Sequence, residues 1–141
     1  MTQGFAGPDA VEAAFYGAFA TTDLEAMARV WSAEGAVCVH PGGTLLLGKD
    51  AVMQSWAEIL SGAARPRIEH RVISRITGAN LEIHLVEERI QPGGDPAATP
   101  SRVIATNVYT AGPEGWRLRI HHASLPLMPA RSAKGSERRL H

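Results

Sequence analysis

The side chains of His40, Asn107 and His122 have the chemistry needed to move a proton beside a carbonyl group. An imidazole with its ordinary pKa of about 6.5 accepts or releases a proton near neutral pH. The amide of Asn107 can donate a hydrogen bond to a carbonyl oxygen or to a developing enolate. We therefore predict that these three residues are catalytic. The alternative is structural, because a buried histidine also satisfies its ring nitrogens by bonding a backbone carbonyl or a neighbouring amide.

His122 lies in the most strand-like segment of the chain, residues 116–124, which a turn rich in Gly and Pro joins to a second strand at 102–110. Side chains alternate between the two faces of a strand. One face then holds Leu118, Ile120 and His122, and the other holds Arg117, Arg119 and His121. We predict from this alternation that His122 points into the apolar interior and that His121 points out.

Five further residues are predicted to line the ligand site: Tyr16, Trp31, Trp56, His70 and Glu88. Because neighbours on a strand alternate, one of Glu87 and Glu88 must face inward. An inward Glu88 would be a buried acid whose pKa is raised by desolvation. Alternatively, Glu88 pairs with an arginine of an adjacent strand, such as Arg102 or Arg119, on a solvated or dimer-forming face. The tryptophans have the alternative role of filling the core and an interface.

A metal ion needs ligands that converge within about 2.0–2.2 Å of one point. The sequence has no pair of cysteines and no helical His-Glu-x-x-His segment. His84 and Glu88 share a strand face, but a rise of ~3.3 Å per residue separates them by about 13 Å. A cross-strand set of His40, His70 and His122 is the remaining alternative. We predict no metal ion and no cofactor.

Fourteen basic and fourteen acidic residues give the 141-residue chain no net charge at neutral pH. We expect no overall field that would attract nucleic acid or an anionic membrane, and no apolar run approaches the ~20 residues of a membrane span. The first residues do not have the pattern of a signal peptide, and the single Cys38 cannot form an intrachain disulfide. We expect a cytoplasmic protein with a small apolar ligand, and neither nucleic acid nor membrane as a partner.

Three N-terminal helices are predicted to position these residues, because apolar side chains recur there at helical spacing. They cover residues 8 to about 20, 22 to about 31 and 51 to about 60. Pro8 suits a first helical position, and Thr22-Asp23-Leu24-Glu25 resembles a capping box with Thr22 as the cap. Residues 36–40 are predicted to form a strand that ends before a proline, and residues 44–47 a short return strand.

From residue 67 onward the pattern alternates, which predicts strands at 67–76, 81–90, 102–110 and 116–124. Residues 91–101 are rich in Pro and Gly and are predicted to form a long exposed loop. Helices followed by strands predict an α+β domain, a cone-shaped curved antiparallel sheet packed on the three helices. Residues 8–128 form this domain, between a flexible N-terminus at 1–7 and a basic flexible tail at 129–141.

Several segments carry a resemblance to a known family: Ala14-Phe15-Tyr16-Gly17-Ala18-Phe19, Asp23-Leu24-Glu25-Ala26-Met27, Trp31, His40-Pro41-Gly42-Gly43, Gly48, Ser55-Trp56, Ala105-Thr106-Asn107, Trp116-Arg117 and His121-His122-Ala123-Ser124. Over residues 8–126 the chain resembles the nuclear-transport-factor-2-like superfamily, and within it the SnoaL-like proteins related to ketosteroid isomerase and polyketide cyclases. The resemblance implies a small-molecule-binding domain with isomerase-like or cyclase-like proton transfer on an apolar carbonyl compound, in a homodimer formed through the outer sheet face. The alternative is a binding or dimerisation module without turnover.

Site residues carry over from this resemblance one position at a time. Ketosteroid isomerase has an oxyanion-donating tyrosine eight residues before the Asp that opens the second helix, and Phe15 holds that position here. Tyr16 is the next residue, but it is rotated by about 100° around the helix and is expected at the rim. His40 precedes a proline, as the general-base Asp of the isomerase does, but it lies one residue further from Trp31, which would reverse its face. The second oxyanion donor falls at Ala105, Thr106 or Asn107.

Overall fold

The computed structural model describes residues 4–62 and 64–127 as three helices and six strands. The helices are α1 (Pro8–Thr21), α2 (Leu24–Val30) and α3 (Lys49–Leu60). The strands are β1 (Val37–Val39), β2 (Leu46–Leu47), β3 (Arg67–Ile76), β4 (Leu81–Gln91), β5 (Ser101–Gly112) and β6 (Gly115–Ser124). The predicted α+β class is confirmed. The predicted tail at 129–141 lies outside the described residues.

The turn between α1 and α2 differs from the predicted capping box in its first residue. Thr22 ends α1 in the left-handed conformation, with φ 52°. Asp23 is the N-cap of α2, and its Oδ1 accepts a hydrogen bond from the backbone N–H of Ala26 at 3.0 Å. A short carboxylate at the N-cap satisfies an amide that the helix leaves unpaired. The prediction that Thr22 caps this helix is therefore wrong by one residue.

The six strands form one sheet in the order β2-β1-β6-β5-β4-β3. All neighbouring pairs are antiparallel except β1 and β6, which are parallel, so the sheet is mixed where a purely antiparallel one was predicted. Helix α1 packs against β3, β5 and β6. Contact with strands this far apart requires the sheet to curve around α1.

A β-bulge in β6 decides which histidine faces the interior. Val108 pairs with Ile120 and Tyr109 pairs with Leu118, so Arg119 is an extra residue on β6. An extra residue reverses the alternation beyond it. His121 is consequently buried, with 2% of its surface exposed, whereas His122 is exposed. The predicted inward orientation of His122 is wrong.

The apolar core lies between the helices and the concave face of the sheet. Phe15 of α1 makes edge-on ring contacts with Trp31, at 6.2 Å between centroids, and with Trp56, at 5.5 Å. Both tryptophans are buried. Residues 4–7, predicted as part of a flexible N-terminus, run beside β6, where Phe5 and Trp116 exchange two backbone hydrogen bonds. Within the described ranges, no helix is long and apolar enough to cross a membrane.

Candidate functional site

Four buried side chains form a hydrogen-bonded chain inside the concave sheet, which we name the core network: Glu88, Tyr16, Asn107 and His121. The Tyr16 hydroxyl donates to Oε2 of Glu88 at 2.5 Å. Nδ2 of Asn107 donates to the Tyr16 hydroxyl oxygen at 2.9 Å. Nδ1 of His121 lies 2.6 Å from Oδ1 of Asn107. These hydrogen bonds therefore link β4, β5 and β6 through Tyr16 of α1.

Strand register and the position of α1 bring these groups together. Asn107 on β5 lies opposite His121 on β6, so their side chains meet on the same face. Tyr16 reaches from α1 between this pair and Glu88 on β4. The expectation that Tyr16 lies at the rim is wrong, since only 4% of its surface is exposed. The curved sheet covers more than one side of α1, so the faces of Phe15 and Tyr16 are both buried.

The hydrogen bonds fix the tautomer of His121. Asn107 uses its amide nitrogen toward Tyr16, so its Oδ1 is an acceptor and Nδ1 of His121 must donate to it. A neutral imidazole with a proton on Nδ1 keeps a lone pair on Nε2. His121 is fully buried, and this desolvation, with smaller contributions from His40 and His122, lowers its pKa to about 3. The ring is therefore neutral at physiological pH.

Glu88 is the acid of the core network. Desolvation raises its pKa from 4.5 to about 7, and the hydrogen bond from Tyr16 offsets part of this rise. The pKa of Tyr16 is raised well above its ordinary value, first by burial and then by the nearby Glu88 carboxylate. A carboxyl group with a pKa near 7 can accept or release a proton under physiological conditions. Glu88 is inward and buried, so its predicted alternative, pairing with an arginine, is wrong.

Glu87, not Glu88, makes the arginine contacts. Its carboxylate accepts hydrogen bonds from Arg102 and, at 3.0 Å, from Arg71 on the outer face of the sheet. These hydrogen bonds lower the pKa of Glu87.

His70 covers the core network at the β3 edge of the sheet. Its ring stacks on the Tyr16 ring, with centroids 4.2 Å apart and an angle of 16° between the planes. It lies opposite Glu88 in the register of β3 and β4. The His70 side chain is 30% exposed. At this edge, therefore, the His70 ring lies between solvent and the side chains of Tyr16 and Glu88.

His40 lies on the other side of the core, in contact with α3. Its Nε2 is 2.9 Å from the Ser55 hydroxyl oxygen, and that hydroxyl donates to the backbone carbonyl of Val52 at 2.6 Å. Because a serine has one hydroxyl proton, Nε2 of His40 must be the donor to Ser55. Burial lowers the pKa of His40. The lone pair of His40 is therefore on Nδ1, and Nε2 does not act as a base in this arrangement.

Trp56 stands between the half-buried His40 and the buried His121. Its ring lies 4.9 Å from the His40 ring and 6.3 Å from the His121 ring. Within the described part of the chain, the buried Nε1 of Trp56 has no hydrogen-bond partner. An unpaired buried N–H is unfavourable by roughly 1–3 kcal/mol. A ligand with an acceptor at this point would satisfy it.

The structure brings together some of the predicted site residues and separates others. Tyr16, His70, Glu88 and Asn107 converge, whereas His40 is separated from them by Trp56. His122 is on the outer face, and Trp31 is part of the core. Sequence reasoning missed His121. The signal for it was the His121-His122 pair itself, since one of two adjacent residues on a strand faces inward whatever the register.

A second polar group lies beside α1, and we name it the α1–β4 cluster: the buried Glu12, Glu82 and His84 with the exposed Asp9 and Arg75. Nδ1 of His84 is 2.8 Å from Oε2 of Glu12, and Nε2 is 2.7 Å from Oε2 of Glu82. Arg75 Nη1 donates to Asp9 at 3.1 Å and to Glu82 at 3.5 Å. The sequence signal was the spacing of Asp9 and Glu12 on a helix and of Glu82 and His84 on a strand.

Comparison with known proteins places this geometry in context. A family model described as a SnoaL-like domain matches residues 9–128. A structure from Thiobacillus denitrificans, provisionally described as a calcium/calmodulin-dependent protein kinase type II association domain, is 35% identical, covers 89% of this chain and 98% of its own, and has a TM-score of 0.80. Comparison with curated proteins gives no match.

Two further solved structures share the architecture. A protein from Streptomyces avermitilis, provisionally described as a dehydratase of the NTF2-like family, is 27% identical over 85% of this chain and 94% of its own, with a TM-score of 0.75. A ketosteroid isomerase-like protein from Erwinia carotovora atroseptica is 16% identical over 86% of this chain and 94% of its own, with a TM-score of 0.70. At 16% identity, the similarity to the protein from Erwinia carotovora atroseptica concerns the fold alone.

Proposed function

The chain belongs to the SnoaL-like domain family, and we propose that it binds a small apolar carbonyl compound beside Glu88 and transfers a proton to or from that compound. The observation that carries the proposal is the Glu88 carboxyl, which is buried, hydrogen-bonded to a neutral hydroxyl, and has a pKa of about 7. The relative from Streptomyces avermitilis, provisionally described as a dehydratase, supports chemistry of this class on the fold.

The proposed reaction uses the groups of the core network in sequence. The ionised Glu88 removes a proton from the carbon next to the carbonyl; the C–H electron pair moves into the enolate, and the proton stays on the carboxyl oxygen. Tyr16 turns its hydroxyl from Glu88 to the enolate oxygen and stabilises the charge. Asn107 and His121 keep the Tyr16 oxygen in place through their hydrogen bonds. Protonated Glu88 then returns the proton to a carbon of the enolate.

His70 is the proposed entrance to this site. Its ring covers Tyr16 at the β3 edge of the sheet, and its side chain is 30% exposed. Displacement of one ring would open a route to Glu88. The unpaired Nε1 of Trp56 supports a ligand that extends deeper into the core, because an acceptor on the ligand would pair with it.

Isotope exchange tests the proposal directly. Purified protein is screened against ketones, polyketide-like aromatics and steroids for a rise in melting temperature, which binding to the folded state produces. Compounds that bind are then incubated in deuterated water, and exchange at the carbon next to the carbonyl is followed by mass spectrometry. We expect Glu88→Gln to slow exchange by at least about 100-fold. Glu69→Gln, a change at an exposed carboxylate of β3, should exchange at the native rate.

Two results would refute the proposed reaction. One is a library in which no compound raises the melting temperature. The other is an exchange rate that Glu88→Gln leaves unchanged. Binding without exchange would favour the alternative function, a binding or dimerisation module without turnover.

The outer face of the sheet supports a second proposal, a homodimer. Ile76 and Leu81 lie on this face at the end of the β3–β4 turn, 63% and 45% exposed, and Arg71, Glu87 and Arg102 form a charged ladder farther along the same face. Exposed apolar residues and paired charges on one face fit a self-complementary interface. The relative from Thiobacillus denitrificans is described as an association domain, which agrees with this use of the fold.

Analytical ultracentrifugation tests the homodimer. The native protein should sediment as a dimer at micromolar concentration, and Ile76→Asp should convert it to a monomer. Leu45→Asp is the control, because Leu45 is equally exposed, at 62%, but precedes β2 at the opposite side of the sheet. A native monomer at high micromolar concentration would contradict the proposal. The cytoplasmic location stays a prediction.

A further inference from the structure

The α1–β4 cluster contains a hydrogen-bond arrangement that a neutral histidine cannot complete. His84 is fully buried, and each of its ring nitrogens faces a carboxylate oxygen, Glu12 at 2.8 Å and Glu82 at 2.7 Å. A neutral imidazole carries one N–H, and an ionised carboxylate only accepts. One of the two contacts therefore requires either a further proton, on the ring or on a carboxyl, or a cation between the two groups.

The charges around His84 also favour a cation. Glu12 and Glu82 are buried, and Asp9 adds a third carboxylate, against the single guanidinium of Arg75. Tyr109 donates to Glu12 at 3.4 Å and His70 lies 4.0 Å from it, but neither adds a permanent charge. With neutral imidazoles, the cluster has two negative charges in excess. A divalent ion would neutralise them.

We propose that the α1–β4 cluster binds a divalent transition-metal ion of the zinc class through Nε2 of His84 and the carboxylates of Glu82 and Asp9. One ligand atom from each of these residues already lies within 4.8 Å of the others. Small side-chain movements would bring all three to the ~2.0–2.2 Å distance that zinc requires, with water in the open position. The carboxylate beside His84 on its own strand is that of Glu82, two residues away, at 2.7 Å from Nε2.

Glu12 has a supporting role in the proposed site. A histidine that binds a metal usually donates its other N–H to a carboxylate, which fixes the tautomer and the ring orientation. In the proposed site Nδ1 of His84, 2.8 Å from the Glu12 carboxylate, donates to it, and the lone pair of Nε2 is left for the metal. Histidine with two carboxylates favours zinc, cobalt or manganese over magnesium or calcium, which bind oxygen ligands alone.

Arg75 occupies the position of the ion in this structure. Its guanidinium contacts both Asp9 and Glu82, the two carboxylates that the metal would bind. The Arg75 side chain is 41% exposed, so it can turn to solvent when the ion binds. Arg75 and the metal then compete for the same oxygens. The bound ion would join the first turn of α1 to β4.

Because Arg75 and the metal compete, removal of Arg75 should raise the affinity of this site, whereas nonspecific binding at the surface should not change. Protein without an affinity tag is titrated with Zn²⁺ by calorimetry and with Co²⁺ by visible absorption. We expect one ion per chain, an affinity at least about tenfold lower in Asp9→Asn, and a higher affinity in Arg75→Gln. Asp50→Asn is the matched control, because Asp50 is also an exposed acid in the first turn of a helix, and it should bind like the native protein.

Three outcomes would overturn the proposal. The first is the absence of stoichiometric binding in both the native protein and Arg75→Gln, which leaves a further proton, on the ring or on a carboxyl, to complete the contacts of His84. The second is binding that Asp9→Asn and Arg75→Gln leave unchanged. The third is Zn²⁺ binding that millimolar Mg²⁺ displaces, since a site with an imidazole ligand should resist this competition. A raised melting temperature with Zn²⁺ in the native protein, absent in Asp9→Asn, would support the proposal.

Discussion

The core network and the α1–β4 cluster are two polar groups where α1 meets the sheet, and they differ in how charge is balanced. In the core network the carboxyl of Glu88 meets a neutral hydroxyl, and the buried His121 meets a neutral amide. In the α1–β4 cluster the carboxylates of Glu12 and Glu82 meet the ring of His84, and Arg75 adds a guanidinium. Glutamate and histidine occur in both groups, so residue type does not explain the difference.

The difference teaches where proton-transfer chemistry can occur on this scaffold. A carboxyl that is surrounded by neutral partners is desolvated with only partial compensation, so its pKa rises toward neutrality, as it does at Glu88. A carboxylate with cationic partners stays charged and stabilises the fold or binds a cation. We therefore propose chemistry for the first group and structure or metal binding for the second. The following predictions test this division, from the largest expected effect to the smallest.

Acidification tests whether the core network excludes positive charge. The pKa of His121 in the folded protein is about 3, lowered from 6.5 chiefly by burial. Below pH 6.5 the unfolded chain binds a proton that the folded protein does not bind. This contribution to stability is complete above pH 6.5 and is lost as the pH falls toward 3. At ~1.4 kcal/mol per pH unit, the total loss is about 5 kcal/mol.

Urea denaturation between pH 7 and 4 measures this loss. Gln at position 121 keeps a donor for Asn107 but does not titrate, so the free energy of unfolding of His121→Gln should fall less steeply, by up to ~1.4 kcal/mol per pH unit. His122→Gln changes the exposed neighbour and should keep the native slope. Equal slopes in all three proteins would show that His121 is not held neutral in the folded state.

Removal of His84 tests the balance of charge in the α1–β4 cluster. His84→Leu leaves the buried carboxylates of Glu12 and Glu82 without the imidazole between them. An unpaired buried charge lowers the free energy of unfolding by about 3–5 kcal/mol, which urea denaturation at pH 7 would detect. His70→Leu, at a partly exposed ring 4.0 Å from Glu12, should lower it by less than ~1 kcal/mol. A similar small loss for both variants would contradict the assigned role of His84.

Glu88→Gln tests the opposite sign of pH dependence. Because the folded-state pKa of Glu88 is raised from 4.5 to about 7, its contribution to stability is complete below pH 4.5 and is lost as the pH rises through 7. The native protein is therefore destabilised at pH 8 by about 3 kcal/mol relative to a neutral side chain. Glu88→Gln should gain up to that amount at pH 8 and little at pH 4.5, by urea denaturation. A difference that does not change with pH would place the pKa of Glu88 near its ordinary value.

From the sequence we could predict the helices and strands that carry these two groups, but not the positions of the side chains within them. Apolar spacing located α1, α3 and strands β3 to β6 because helix and strand periods depend on local side-chain order. The four polar residues Tyr16, His70, Glu88 and Asn107 were predicted in one site, and the structure brings them together. Their catalytic and ligand-binding roles stay predictions.

The geometric errors have two physical causes. The bulge at Arg119 is a property of the pairing between β5 and β6, so alternation along β6 alone assigned the inward face to His122 instead of His121. The burial of Tyr16 depends on the curvature of the sheet around α1, which is a tertiary property that helical spacing does not contain. Both errors concern contacts between secondary-structure elements, which the local sequence pattern does not determine. The α1–β4 cluster was missed for the same reason, because its residues come from α1, β3 and β4.

Tyr16 belongs to the core network and Tyr109 contacts Glu12 of the α1–β4 cluster, and these two tyrosines give the finest test of the comparison. Tyr16→Phe removes the hydrogen bond that lowers the pKa of Glu88, and it leaves Nδ2 of Asn107 without its acceptor. We expect a loss of about 1–2 kcal/mol in the free energy of unfolding and a further rise in the pKa of Glu88. Carbon-13 NMR titration of the Glu88 carboxyl measures that rise. Tyr109→Phe removes a longer bond, 3.4 Å to Glu12, so it should lose less stability and leave the Glu88 titration close to native. An equal shift in the pKa of Glu88 in the two variants would contradict the comparison. Glu88 would then respond to the Tyr109 hydroxyl as strongly as to the Tyr16 hydroxyl, and the core network would not be an independent site.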